Sequence, residues 1–187
     1  MDIATFHARR RFAEVKSGRI AYVEDGEGPP ALFVHGVPLN GYHWRHVIDR
    51  VRHRRRCIAI DLMGLGYSEI APAQDVSFTA QARMLAEVLD ALDIERVDLV
   101  GNDSGGAIAQ IFAAHNPDRL NSFVLTNCDV HDGWPPPQVL PLMKHARRHD
   151  CVDLPADDRA ARPRAPALCR RRVRAAVPQL CRPGRAD

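Results

Sequence analysis

The chain has 187 residues, of which 45% are hydrophobic and 26% are charged, with a formal net charge of +3. These values are typical of a soluble globular domain, and no apolar run is long enough to span a membrane. The N-terminus lacks the apolar segment of a signal peptide, and five cysteines without a tight pairing pattern favour a reducing compartment. We therefore expect a cytoplasmic protein.

The predicted elements follow one another in a regular order from the N-terminus. The stretch RFAEVKSGRIAYVEDGEG indicates two short strands, with turns at Ser17-Gly18 and Asp25-Gly26. The later patterns are, in order, a buried strand (ALFVHG), an amphipathic helix (YHWRHVIDRVRH), a buried strand (CIAIDL), a glycine-rich loop (MGLGYSE), a helix (FTAQARMLAEVLDALDI), a strand (RVDLVG), a helix (GAIAQIFAAHNPDRL) and a strand (NSFVLTNCD).

This alternation of strands and helices from residue 31 onward defines the fold class. It predicts an α/β protein with a mostly parallel sheet and helices on both faces. In such a sheet the functional groups lie at the carboxyl ends of the strands, where the glycine-rich stretches of this sequence also fall.

The stretch LVGNDSGGAIAQ places Asp103 at a sharp turn from strand to helix. Gly101 and Gly105 stand two residues before and two after it, which is the spacing of a nucleophile elbow with aspartate in place of serine. Ser104 is a competing nucleophile, but Asn102 and Gly106 flank it at that spacing, so only one side fits. The other alternative is a structural turn in which Asp103 only caps the helix.

Together with FVHGVPLNGYHWR and DLMGLGYSE, the GNDSGG stretch resembles the α/β-hydrolase fold family, over roughly residues 10–135. The likeness is to its branch with an aspartate nucleophile, the haloalkane dehalogenases and epoxide hydrolases. It implies an eight-stranded sheet with a helical cap inserted after the sixth strand. Where that branch favours tryptophan after the nucleophile, this chain has Ser104, and Val37 stands where its dehalogenases often have asparagine after His-Gly.

The resemblance also implies a mechanism and its residues. Asp103 would form an alkyl ester with a small-molecule substrate, and the backbone N–H groups of Val37 and Ser104 would form the oxyanion hole. Asp129, at the end of FVLTNCD, matches the place of the acid that orients a base histidine, although it is equally compatible with a surface turn. The intact relatives are hydrolases that need no cofactor, and we expect none here.

The sequence has no histidine at the position where the resemblance implies the catalytic base. All nine histidines precede residue 150, whereas the family places its catalytic histidine after the last strand. His131 is the candidate substitute. His43 and His46, one turn apart on a helix, are read as part of a solvated face rather than as a metal site, so no metal is expected.

The chain divides by composition into three regions. Residues 1–130 form the predicted hydrolase core and residues 131–150 the start of the cap. Residues 151–187 hold nine arginines against four acidic residues, with five prolines, and are expected to be non-native or disordered, for example through a shifted reading frame.

Three functions remain open at this point. The first is a hydrolase that acts through an aspartyl ester on an alkyl halide or epoxide. The second is a non-catalytic fragment or pseudoenzyme, and the third is a nucleic-acid binder that uses the arginine-rich tail. Neither nucleic acid nor a membrane is the expected partner, and the sequence leaves the oligomeric state open.

Overall fold

A computed structural model of the chain describes residues 1–128. The expected cap region, the basic tail, Asp129 and His131 lie outside these described residues. The strands are β1 (Arg10–Val15), β2 (Gly18–Asp25), β3 (Pro30–Val34), β4 (Arg56–Ile60), β5 (Val97–Asp103) and β6 (Leu120–Cys128). The helices are α1 (Ile3–Ala8), α2 (Arg45–Val51), α3 (Phe78–Ala91) and α4 (Ser104–His115), with 3-10 turns at Gly41–Trp44 and Pro117–Arg119.

The strands form one sheet in the order β1-β2-β4-β3-β5-β6. The pairs β1–β2 and β2–β4 are antiparallel, whereas β4–β3, β3–β5 and β5–β6 are parallel. The predicted fold class is therefore confirmed: the chain forms a mostly parallel sheet of the α/β type. Because β3 and β5 are parallel neighbours, their carboxyl ends meet at the same edge of the sheet.

Side chains that alternate along the strands build a core on each face of the sheet. On one face, Leu32, Ile58 and Leu99 pack with α3 and α4 through residues such as Leu85 and Phe112. The opposite face holds a smaller core, whose buried members are Phe6, Val23, Ala31, Phe33, Trp44, Ile48, Cys57 and Ala59. The helices thus cover both faces, as the alternation predicts.

Two helices differ in detail from the sequence patterns. Helix α1 has no counterpart among the predicted elements; the Asp2 side chain caps it by accepting the Thr5 N–H, and Phe6 anchors it in the smaller core. The pattern expected to give one helix over 42–53 gives the 3-10 turn at Gly41–Trp44 and the short helix α2. Among residues 1–128, no helix is both long and apolar enough to cross a membrane.

Candidate active site

The strand β5 passes directly into helix α4 at Asp103. This residue has φ 56° and ψ −134°, a positive φ that side-chain-bearing residues rarely adopt. Such a conformation costs on the order of 1–3 kcal/mol and persists only where the surrounding packing imposes it. The turn leaves the half-buried Asp103 at the carboxyl edge of the sheet, beside the end of β3.

The glycines around Asp103 explain how so sharp a turn fits. A Cβ on Gly105 would lie 2.3 Å from the His35 carbonyl oxygen, and one on Gly106 would lie 2.1 Å from the Cys128 Cβ. A Cβ on Gly101 would lie 2.8 Å from the Gly106 Cα. Contacts this short exclude side chains, so glycine at these positions lets α4 start against the ends of β3 and β6.

The loop after β3 lies against the Asp103 carboxyl group. A Cβ on Gly36 would lie only 2.4 Å from Asp103 Oδ1, so the carboxylate rests on the bare Gly36 backbone. The Ser104 N–H donates to Asp103 Oδ1. The Val37 N–H, however, donates to Ser104 Oγ at 3.0 Å. The structure thus brings Val37, Asp103 and Ser104 together.

His35 fastens the end of β3 to the end of β4. Its Nε2 accepts a hydrogen bond from the Leu62 N–H at 3.0 Å, so the ring proton lies on Nδ1, which donates to the Gly36 carbonyl at 2.8 Å. Burial lowers the pKa of His35, opposed by the bond to Gly36 and by the negative charge of Asp61. A neutral imidazole is what this bonding needs, because a protonated Nε2 could not accept the Leu62 N–H.

Asp61 holds the two loops next to His35. Its Oδ1 accepts the Gly41 N–H at 2.7 Å and its Oδ2 accepts the Tyr67 N–H at 2.8 Å. The side chain is 5% exposed, and a Cβ on Gly66 would lie 2.2 Å from its Oδ2. Sequence reasoning did not single out this residue; the available signal was an acid placed directly between an apolar strand and a glycine-rich loop.

The end of β6 lies beside the elbow. Cys128 is the register partner of Asp103, and the Asn102 side chain donates to the Thr126 carbonyl oxygen at 2.9 Å. Asp129, the predicted orienting acid, is the next residue in the sequence but lies outside the described residues. No group of three or more His, Cys, Asp or Glu side chains within residues 1–128 is arranged to hold a metal ion.

Comparison with known proteins places the chain in a family. The alpha/beta hydrolase fold family matches residues 29–186. The chain belongs to this family.

Its relatives include both kinds of enzyme with which the sequence shares motifs. It is 37% identical over 117 residues to haloalkane dehalogenase 2 of Mycobacterium tuberculosis (strain ATCC 25618 / H37Rv), covering 63% of this chain and 41% of that protein. It is 42% identical over 113 residues to a haloalkane dehalogenase of Mesorhizobium japonicum (strain LMG 29417 / CECT 9101 / MAFF 303099), covering 60% and 36%. The chain thus spans about two fifths of the length of these relatives.

Solved structures show the same likeness. A mutant epoxide hydrolase of Vigna radiata superposes with a TM-score of 0.58 at 32% identity, covering 62% of this chain and 37% of that one. An alpha/beta hydrolase fold protein of Burkholderia ambifaria gives a TM-score of 0.70 at 27% identity, covering 86% of this chain and 56% of that one.

Proposed function

We propose that the protein is a hydrolase that acts on a small organic substrate, of the alkyl halide or epoxide type, through an ester of Asp103. The observation that carries the proposal is the placement of the Asp103 carboxylate, at a strained strand–helix turn and against the bare backbone of Gly36. A carboxylate in this position needs no base to attack an sp³ carbon. The dehalogenases and epoxide hydrolases among the relatives favour these two substrate classes.

The hydrogen bond accepted by Oδ1 gives the two carboxylate oxygens different parts in the proposed first step. Oδ1 accepts the Ser104 N–H, which leaves Oδ2 as the oxygen that attacks. As the Oδ2–carbon bond forms, the bond from that carbon to halide or epoxide oxygen breaks, and the leaving group takes the electron pair. An epoxide oxygen then takes a proton from water. The product of this step is an alkyl ester whose carbonyl oxygen is Oδ1.

In the second step, water adds to the ester carbonyl carbon and loses one proton to the solvent. The bond from that carbon to Oδ2 then breaks, the alkoxide takes the second proton and leaves as the alcohol, and the carboxylate is regenerated. Negative charge develops on Oδ1 during the addition, next to the Ser104 N–H. Asp129 is proposed as the acid that orients a base histidine, since it follows the strand that pairs with Asp103. Residues 150–187 contain no histidine, so we expect a protein made of residues 1–187 alone to form the ester and to hydrolyse it slowly.

Intact-protein mass spectrometry tests this proposal. The chain is incubated with a small panel of alkyl halides and epoxides, and Asp103→Asn is the matched control, since it keeps the size of the side chain but removes the carboxylate. We expect the wild type to gain one base-labile substrate-derived group that Asp103→Asn does not gain, whereas the base-stable alkylation of cysteines is the same in both. Sustained turnover without adduct would contradict the stalled second step. The absence of adduct on a protein shown by circular dichroism to be folded would favour the non-catalytic fragment.

A further inference from the structure

The Ser104 hydroxyl lies inside the expected oxyanion hole. Its Oγ accepts the Val37 N–H at 3.0 Å, and Ser104 is only 2% exposed. Within residues 1–128 the hydroxyl accepts this bond and donates none. The Val37 N–H, which the family pattern assigns to the oxyanion, is therefore already paired with a side chain whose own proton has no acceptor among the described residues.

The charge that the site must stabilise forms close by. Asp103 Oδ1 accepts the Ser104 N–H and lies against Gly36, where a Cβ would be 2.4 Å away. The residue after Gly36 is Val37, and its N–H donates to Ser104 Oγ. Oδ1 is thus flanked by Ser104 and by the Gly36–Val37 peptide, and the Ser104 side chain links the two.

We propose that the Ser104 hydroxyl, and not the Val37 N–H directly, is the second hydrogen-bond donor to the oxyanion on Asp103 Oδ1. The inference rests on the proposed aspartyl-ester function. When hydroxide, or water that gives up a proton to the solvent, adds to the ester, its oxygen bonds to the carbonyl carbon and the π electron pair moves to Oδ1. Ser104 keeps its proton and donates it in a hydrogen bond to Oδ1, while the Val37 N–H polarises the hydroxyl.

Two physical arguments favour this relay over direct donation. An O–H donor to a charged oxygen makes a short, strong hydrogen bond, and accepting the Val37 N–H strengthens that donor further. Direct donation by Val37 would require its N–H to leave Ser104 Oγ, and would leave a buried hydroxyl without its present partner. In the relay the Val37 N–H keeps its bond to Ser104 Oγ throughout, and the Ser104 hydroxyl proton gains an acceptor when the charge forms on Oδ1.

The rate at which the ester on Asp103 is hydrolysed tests the proposed role of the Ser104 hydroxyl separately from ester formation. The adduct is formed with an excess of a reactive alkyl halide, the reagent is removed by gel filtration, and the loss of adduct mass is followed at mildly alkaline pH, where hydroxide attacks without a protein base. The variants are Ser104→Ala, which removes the hydroxyl, and Ser104→Thr, which keeps it. Ser122→Ala is the matched control, because the Ser122 hydroxyl, on the edge strand β6, donates to Asp98 Oδ1 at the start of β5, away from the elbow.

Removal of one oxyanion donor typically costs about 10²–10³-fold, and we expect Ser104→Ala to slow the decay by about 10²-fold. Ser104→Thr restores the wild-type decay to within about threefold, and Ser122→Ala decays as the wild type does. Equal or faster decay in Ser104→Ala overturns the inference, because the hydroxyl would then be a mere cap or a block on Val37. The absence of adduct on the wild type would overturn the proposed function as well, so the two failures are distinguishable.

Discussion

The same three residue types occur in a row in two strands of the sheet, with opposite burial. In β3, Leu-Phe-Val at 32–34 is 0%, 3% and 0% exposed. In β6, Phe-Val-Leu at 123–125 is 37%, 46% and 39% exposed. β3 lies between β4 and β5 with helices over both faces, whereas β6 is one of the two edge strands of the sheet formed by residues 1–128. Position in the sheet, and not hydrophobicity, therefore decides the burial of these triplets.

The two strands also hold the Asp103 turn in different ways. On the β3 side, His35 and Asp61 join the loop after β3 to the end of β4 through buried hydrogen bonds. The β6 side reaches the elbow through the register pair Asp103 and Cys128. We expect changes in β3 to act on the whole fold and changes in β6 to act locally.

Truncation of the same residue type in both strands gives the largest expected effect. Leu32→Ala removes a fully buried side chain and should lower the free energy of unfolding by about 2–5 kcal/mol. Leu125→Ala removes a side chain that is 39% exposed and should change it by less than about 1 kcal/mol. Urea unfolding followed by circular dichroism measures both. Similar losses would show that β6 is as well covered as β3.

The reactivity of two cysteines compares a central strand, β4, with the edge strand β6 and needs no substitution in the core. Cys57, in β4, is buried, and burial raises the pKa of its thiol to about 11, whereas Cys128 at the end of β6 is half-buried. Since the thiolate is the reactive form, we expect Cys57 to react with a maleimide at least about tenfold more slowly than Cys128. Peptide mapping reports both rates in a variant that carries Cys151→Ser, Cys169→Ser and Cys181→Ser. Equal rates would mean that the β4 side opens as readily as the β6 side.

The pH dependence of the free energy of unfolding tests whether His35, at the end of β3, stays neutral in the folded chain. The pKa of His35 is lowered from its ordinary value of 6.5, so above 6.5 the ring is neutral in the folded and the unfolded chain alike. As the pH falls below 6.5, the unfolded chain binds a proton that the folded chain does not, and the free energy of unfolding decreases. We expect His35→Gln to weaken this dependence in urea midpoints, and the exposed control His53→Gln to preserve it. An identical slope in His35→Gln would contradict the assignment.

A charge on the edge strand should have the smallest effect on the fold itself. Val124 is 46% exposed on β6, and unpaired apolar edges invite association between molecules. Val124→Lys should reduce concentration-dependent association in sedimentation velocity, while the unfolding midpoint in urea hardly moves. Unchanged association would mean that another surface brings the molecules together.

The sequence predicts most of the fold because its signals are local. The apolar runs of β3, β4 and β5 and the spacing of Met84, Leu85 and Val88 in α3 each mark one element. Helix α1 was missed, because it is only 6 residues long and depends on Phe6 reaching a core built by distant strands. A six-residue pattern carries too little periodicity to distinguish it from a loop.

In the candidate site, too, the local features could be predicted from the sequence and the long-range contacts could not. The glycine spacing around Asp103 is local, and the structure places this residue at the expected turn. The bond from the Val37 N–H to Ser104 Oγ joins residues 67 positions apart, and that from the Gly41 N–H to Asp61 joins residues 20 positions apart. Such contacts depend on the folded packing of three loops, which no short motif encodes. Asp129 stays a prediction, since it lies beyond the described residues.

The central claim, that Asp103 is the nucleophile, is tested most directly by locating the alkyl group after reaction. Peptide mapping by tandem mass spectrometry distinguishes Asp103 from Ser104 and from the cysteines, which alkyl halides also modify. The account predicts a single base-labile ester on Asp103, lost after hydroxide treatment and absent from Asp103→Asn. A base-stable group on Ser104, or alkylation of cysteines alone in a folded chain, would contradict it.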